Sequence, residues 1–191
     1  MIASNILLVT FAIILLALLP DVSMAAKKRG NQDKYLQRTG QKFLDETAKK
    51  DGIFTLKSGM LVEILHSGTD ANAKSPNAGD SCEVTYSGTL KDGSKFDAGT
   101  TSFAPNQVIK GWTEAMQLMG EGDKWKLYIP YDLAYGERGS PPKIPAFAPL
   151  VFEIEIHKVK SGGKPVAEAR AKFEEAKVRT PEAPKDANSE L

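Results

Sequence analysis

The sequence predicts an α+β fold, in which several antiparallel strands enclose one short helix. Three observations predict it. Apolar and polar residues alternate over Ser81–Leu90, Asp123–Ile129 and Leu150–Val159, the period of a half-buried strand. Between the first two runs the period changes, and Trp112, Ala115, Met116 and Met119 share one helical face. Asp92-Gly93 separates two strand patterns as a hairpin turn. Strands with a single helix against one sheet face make an α+β domain.

The bulk properties limit the function. The chain has 191 residues, enough for one ordinary domain with attachments. It is 41% apolar and 26% charged, with a net charge of +1. That balance lacks the basic footprint of a nucleic-acid binder. Cys82 is the only cysteine, so neither an intrachain disulfide nor a cysteine-based metal site can form. It alternates with Val84 and Tyr86 and is expected on an inward strand face.

Residues 1–25 read as a signal peptide. Ile6–Leu19 is apolar apart from Thr10, Pro20 ends the run, and Ser23-Met24-Ala25 supplies small residues before a cut after Ala25. No Lys or Arg precedes the run, a departure from the usual pattern. The alternative is an uncleaved signal anchor, but the run is short for a span of ~20 residues, so cleavage without stable membrane insertion is expected. The chain would enter the secretory pathway, in the ER lumen or secreted. Asn188–Leu191 matches the retention signal K-D-E-L only in its last two positions.

Residues 26–52 form an N-terminal helical extension. Tyr35, Leu36, Phe43 and Leu44 predict a helix over Asp33–Lys50, against the tendency of Gly40, and Asp51-Gly52 ends it. The domain proper is placed at 53–160. Met60–Leu65 is its first strand, and Ser67–Asp80, rich in Gly, Pro, Asn and Asp, is a loop. Ser81–Leu90 and a return strand from Ser94 make the hairpin. Gly120 stops the helix, Pro130 ends the strand Asp123–Ile129, and Tyr131–Pro149 is a proline-rich loop before the last strand. In 161–191, Ser161-Gly162-Gly163 is a flexible joint, Lys164–Val178 a charged, exposed helix, and Pro181 onward disordered.

Familiar catalytic sets are missing. The two histidines, His66 and His157, have no nucleophile or ligand spacing around them, and no glycine loop cradles phosphate. No metal or cofactor is expected. Most carboxylates alternate outward; Asp97 stands apart because it follows Phe96. Tyr86, Phe96, Val108, Ile109, Trp112, Tyr135, Ile144 and Phe152 lie in segments that converge on the helix. By pattern alone such a set is a core more often than a pocket; the pocket reading puts Trp112 at the floor and the tyrosines at a rim.

The words themselves carry more. VTYSGTLKDGSKFDAG, VIKGWTEAMQLMGEGDKWKLYIP, LAYG and PLVFEIEIHKV occur in order. Together they resemble the FKBP-type peptidyl-prolyl cis-trans isomerases, the immunophilins that bind macrolides. The core match runs over 79–160. The preceding KFLDETAKKDGIFTLKSGMLVEIL resembles the macrophage-infectivity-potentiator branch. The resemblance implies a half-wrapped sheet of five or six antiparallel strands around the helix. It also implies an apolar pocket for a proline ring. Tyr86, Asp97 and Tyr135 would be the orienting groups. Phe96, Val108, Ile109, Trp112, Ile144 and Phe152 would hold the substrate.

The partners implied are proline-containing polypeptides and macrolide inhibitors. The implied activity is non-covalent twisting of an X-Pro amide that assists folding. The alternative is a binding module for macrolides or proline segments, or a secreted effector, with little turnover. With one short N-terminal helix a monomer is expected. Between Asp97 and Phe103 the chain is shorter than in most relatives. The expectation is an abbreviated crossing through Thr100, Thr101 and Ser102, whose hydroxyls stand in for a basic group that orients the acid. Phe103 is expected to return to the core. Lys143 and Phe147 also depart from the family pattern at the rim.

Overall fold

The computed structural model of the chain describes residues 22–178. A helix, α1 (Val22–Thr47), precedes the sheet strands β1 (Ile53–Thr55), β2 (Leu61–His66), β4 (Cys82–Leu90), β5 (Lys95–Phe103), β6 (Lys124–Ile129) and β7 (Leu150–Val159). They form one antiparallel sheet in the order β1-β2-β6-β7-β4-β5. The short helix α2 (Lys110–Leu118) lies between β5 and β6 in sequence. Two-residue strands β3 (Lys74–Ser75) and β8 (Lys164–Pro165) pair with each other, and α3 (Val166–Ala176) follows β8. Residues up to Tyr35 and residues from Leu36 onward form separate units, and the sheet, α2 and α3 belong to the second. No helix among the described residues is long and apolar enough to cross a membrane.

The alternation read from the sequence puts the apolar residues on the inner sheet face. Val62, Val84, Leu127, Ile129, Ile154 and Ile156 are buried there with Trp112, Ala115, Met116 and Met119 of α2. Gly111 permits the close approach: a Cβ there would lie 2.6 Å from Cγ2 of Ile129. Past the end of α2, buried Asp123 ties the turn after that helix to the segment after β2. Its Oδ1 accepts the Gly68 amide and its Oδ2 the Gly120 amide, both at 2.7 Å. Cys82 is fully buried as expected, and burial pushes its thiol up to about 11.

The outer face is partly covered by the C-terminal half of α1, where Leu44 joins Leu61, Tyr128 and Val151 in a second cluster. Gly40, a weakness for an isolated helix, is where α1 meets the loop before β7. A Cβ there would sit 3.1 Å from Cδ of Pro149. That contact explains why a poor helix former occupies this turn.

Several expectations are corrected. The helix starts at Val22 rather than Asp33. The Ser67–Asp80 stretch contains β3, and β1 was not anticipated, because two- and three-residue strands carry no period. The segment after Val159 is neither a loose joint nor an exposed helix. Asp80 Oδ2 accepts the Gly163 amide at 2.9 Å, and the Asn77 amide, then the Gly163 amide, hold the Asp80 carboxyl below its ordinary value. Val166, Ala169 and Phe173 are buried. Phe173 packs on Trp125, with ring centroids 4.8 Å apart, and edge-on to Phe54 at 5.7 Å. Most of the expected signal peptide and the tail from Arg179 lie outside the described residues.

Candidate active site

The hairpin supplies one wall. Tyr86 on β4 is directly opposite Gly99 on β5, and its ring lies over that glycine. The phenol crosses to donate to Asp97 Oδ2 at 3.0 Å, while Asp97 Oδ1 accepts the Ala98 amide at 3.0 Å. These two donors hold the acid. Burial, then the hydrogen bond to Asp97, raises the Tyr86 phenol above its ordinary value. A bulge shifts the register between Gly88 and Thr89, leaving Phe96 unpaired opposite β4. It lets consecutive residues, Phe96 and Asp97, line the same cavity.

Trp112 forms the floor, 4% exposed. Its ring meets Tyr86, Phe152 and Phe103 edge-on at 5.3, 5.1 and 6.0 Å. Phe96 meets Phe152 the same way at 5.4 Å. Val108 and Ile109 bring the start of α2 to the cavity, where the first amides have no helical carbonyl to bond. Tyr135, 42% exposed, stands at the rim. The cavity measures about 410 Å³, within the range of small-ligand sites.

The structure thus brings together Tyr86, Phe96, Asp97, Val108, Ile109, Trp112, Tyr135 and Phe152. Ile144 is not among the lining residues. It is 4% exposed and packs in the core, its backbone bonded both ways to Ser140. Phe103 and Gln107 line the cavity and were not anticipated. The aromatic character of Phe103, at the far end of the strand that carries Phe96, was the available signal.

The stretch after Asp97 is also corrected. It is no loop: β5 runs unbroken to Phe103. Its hydroxyls bond elsewhere, Thr100 with Thr85 at 2.8 Å and Ser102 with the Lys160 ammonium at 2.8 Å. The nearby cation, Lys143, donates to the Phe96 carbonyl at 3.2 Å and so ties the 131–149 loop to the strand.

Gly88 is a second unanticipated feature. A Cβ there would lie 2.6 Å from Cε1 of Phe152 and 2.7 Å from Cζ of Phe96. The missing methyl is what allows the two walls to touch. Gly88→Ala is expected to cost about 1–3 kcal/mol of stability by overpacking. It should also weaken binding of a proline ligand, because the rings that must move are the walls. Thermal denaturation and a tryptophan-fluorescence titration read the two effects separately.

A family model described as FKBP-type peptidyl-prolyl cis-trans isomerase matches residues 72–157. The chain is 43% identical over 145 residues to a macrophage infectivity potentiator of Trypanosoma cruzi, and the match covers 73% of each protein. It is 44% identical over 125 residues to the FKBP-type peptidyl-prolyl cis-trans isomerase FkpA of Aeromonas hydrophila, covering 63% of this chain and 45% of that one. The chain thus spans less than half the length of that relative. Among solved structures, a peptidyl-prolyl cis-trans isomerase from Pseudomonas syringae superposes with a TM-score of 0.63 at 38% identity, covering 67% of this chain and 96% of that one.

Proposed function

The chain belongs to the FKBP-type peptidyl-prolyl cis-trans isomerase family, and on that premise we propose that its cavity seats the proline of an X-Pro segment and eases rotation of the amide. The observation that carries this is the aromatic box of Trp112, Phe96, Phe103 and Phe152, with one hydrogen-bonded Tyr86–Asp97 pair at its rim. An apolar box holds a saturated ring, and the polar pair orients what projects from it.

The amide barrier is about 18–20 kcal/mol because resonance keeps the C–N bond planar. Resonance places charge on the carbonyl oxygen, and water stabilises that charge. An apolar cavity withdraws the water and so favours the twisted form, in which resonance is lost. Holding the ring on Trp112 while the preceding residue turns adds positioning. No covalent step is needed. Tyr86, with its raised phenol, stays a donor to Asp97 through the neutral range. Tyr135 and the start of α2 complete the orienting groups.

The clients would be proline-containing polypeptides, and the same aromatic box would take macrolides. The apolar run Ile6–Leu19 with the small residues before Ala26 supports action in the secretory pathway, in the ER lumen or after secretion.

A protease-coupled assay on an X-Pro tetrapeptide tests the reading. The expected result is a rate above buffer that does not change with pH across the neutral range, and a partial loss in Asp97→Asn. No rate above buffer would reduce the site to a binding module. Activity that titrates with a carboxyl group and vanishes in Asp97→Asn would make Asp97 an acid–base catalyst instead.

A further inference from the structure

β5 is the last strand of the sheet, and no described residue pairs with it on its outer side. Asp97 through Ser102 are all exposed. Natural sheets blunt such an edge with proline, lysine or a bulge. From Asp97 to Phe103 this strand has none of them, and its pairing with β4 runs without a shift from Gly88↔Asp97 to Cys82↔Phe103.

The direction of the free backbone groups follows from two contacts. The Phe96 carbonyl accepts the Lys143 ammonium, and the Ala98 amide donates to its neighbour's carboxylate, so both groups point away from β4. In an antiparallel ladder every second residue turns its N–H and C=O outward. Thr100 and Ser102 therefore present theirs on the same side.

This edge lies beside the cavity: Phe96 and Asp97 at one end of β5 and Phe103 at the other all line it. A polypeptide whose proline sits in the cavity is already next to the edge. The residue before a proline is held extended, which is the conformation a strand needs. The proline lacks an N–H, but its flanking residues do not.

We propose that the outer edge of β5, through the backbone of Thr100 and Ser102, takes the extended segment flanking the bound proline as an added strand. The inference rests on the reading that the cavity seats an X-Pro segment. Strand addition supplies affinity through main-chain bonds, indifferent to side chains. It would give this chain a preference for long, unfolded substrates over short ones.

The experiment compares an X-Pro tetrapeptide with a longer peptide that extends the same core on both sides. For the wild-type protein the longer peptide is expected to have a KM roughly tenfold lower. N-methylating alternate flanking amides in turn should abolish that advantage at one register. Thr100→Pro removes one outward donor and leaves the β4 ladder intact, so it should raise KM for the longer peptide only. Thr100→Val keeps the amide and should change neither.

Equal KM values for the two peptides, or indifference to N-methylation, would overturn the proposal. So would a wild-type dimer in sedimentation that Thr100→Pro dissociates, since a second copy would then own the edge. If the tetrapeptide is not turned over, the isomerase reading fails. Binding of the longer peptide with and without N-methylation, read by tryptophan fluorescence, then still decides the edge. That series uses the wild-type protein, so the test survives a Thr100→Pro variant that fails to fold.

Discussion

Trp112→Leu is expected to lower kcat/KM roughly ten- to hundredfold, about 1.4–2.7 kcal/mol of transition-state stabilisation. The indole is met edge-on by Tyr86, Phe103 and Phe152, and each aromatic pair is worth about 0.5–1.5 kcal/mol beyond its buried area. Leucine removes the flat floor and all three pairs. If the floor only anchors the ring, KM rises and kcat stays; if it favours the twisted amide, kcat falls as well. Because leucine also leaves a void, a thermal melt must accompany the kinetics. Trp112→Phe, which keeps an aromatic floor, should recover most of the loss. A folded Trp112→Leu variant with unchanged kcat/KM would remove this residue from the site.

Phe173→Ala is expected to destabilise the domain by about 3–5 kcal/mol, the range for a buried Phe truncated in a core. Its ring fills the space between Trp125 and Phe54, and the Lys177 ammonium sits 5.2 Å from its centroid. Were α3 an exposed, charged helix, the same substitution would stay within about 0.5 kcal/mol. Urea denaturation distinguishes the two outcomes. Catalysis under native conditions should persist, since Phe173 does not line the cavity.

The strands β4, β6 and β7 were legible because apolar residues alternate along them, whereas β5 is exposed from Asp97 to Ser102 and shows no such alternation. Leu150–Val159 is both the predicted and the observed β7, and Pro130 marks the end of β6 as read. The helix α2 was legible from four residues. The docking of α3 was hidden by composition. Val166, Ala169 and Phe173 recur at three and four, but they are scattered among many charges. The strands β3 and β8 are too short to show a period, and they exist because carboxylates of Asp80 and Glu121 fix the backbone around them.

At the site the aromatic and aliphatic lining was readable, because each residue falls in a motif with its own segment. The misreadings concern relations between segments. Ile144 is adjacent to the rim in sequence yet turns into the core through its pairing with Ser140. Phe103 returns to the cavity because β5 continues instead of looping out. The role of Gly88 is a distance between two rings on other strands, and no local pattern encodes it.

The Val178 amide bonds the Thr55 carbonyl at 2.7 Å, so the last described residue closes onto the first strand of the sheet. Two of the sheet pairings are also distant in sequence, β2 with β6 and β4 with β7. Contacts of this kind return nothing until long loops have closed, and domains dominated by them fold in roughly milliseconds to seconds. During synthesis β1 and β2 emerge with no partner beyond each other. The sheet cannot be completed until β7 has left the ribosome, because β7 joins β6 to β4. Assembly is therefore deferred until Leu150–Val159 has emerged, and through that interval β4 lacks its inner partner.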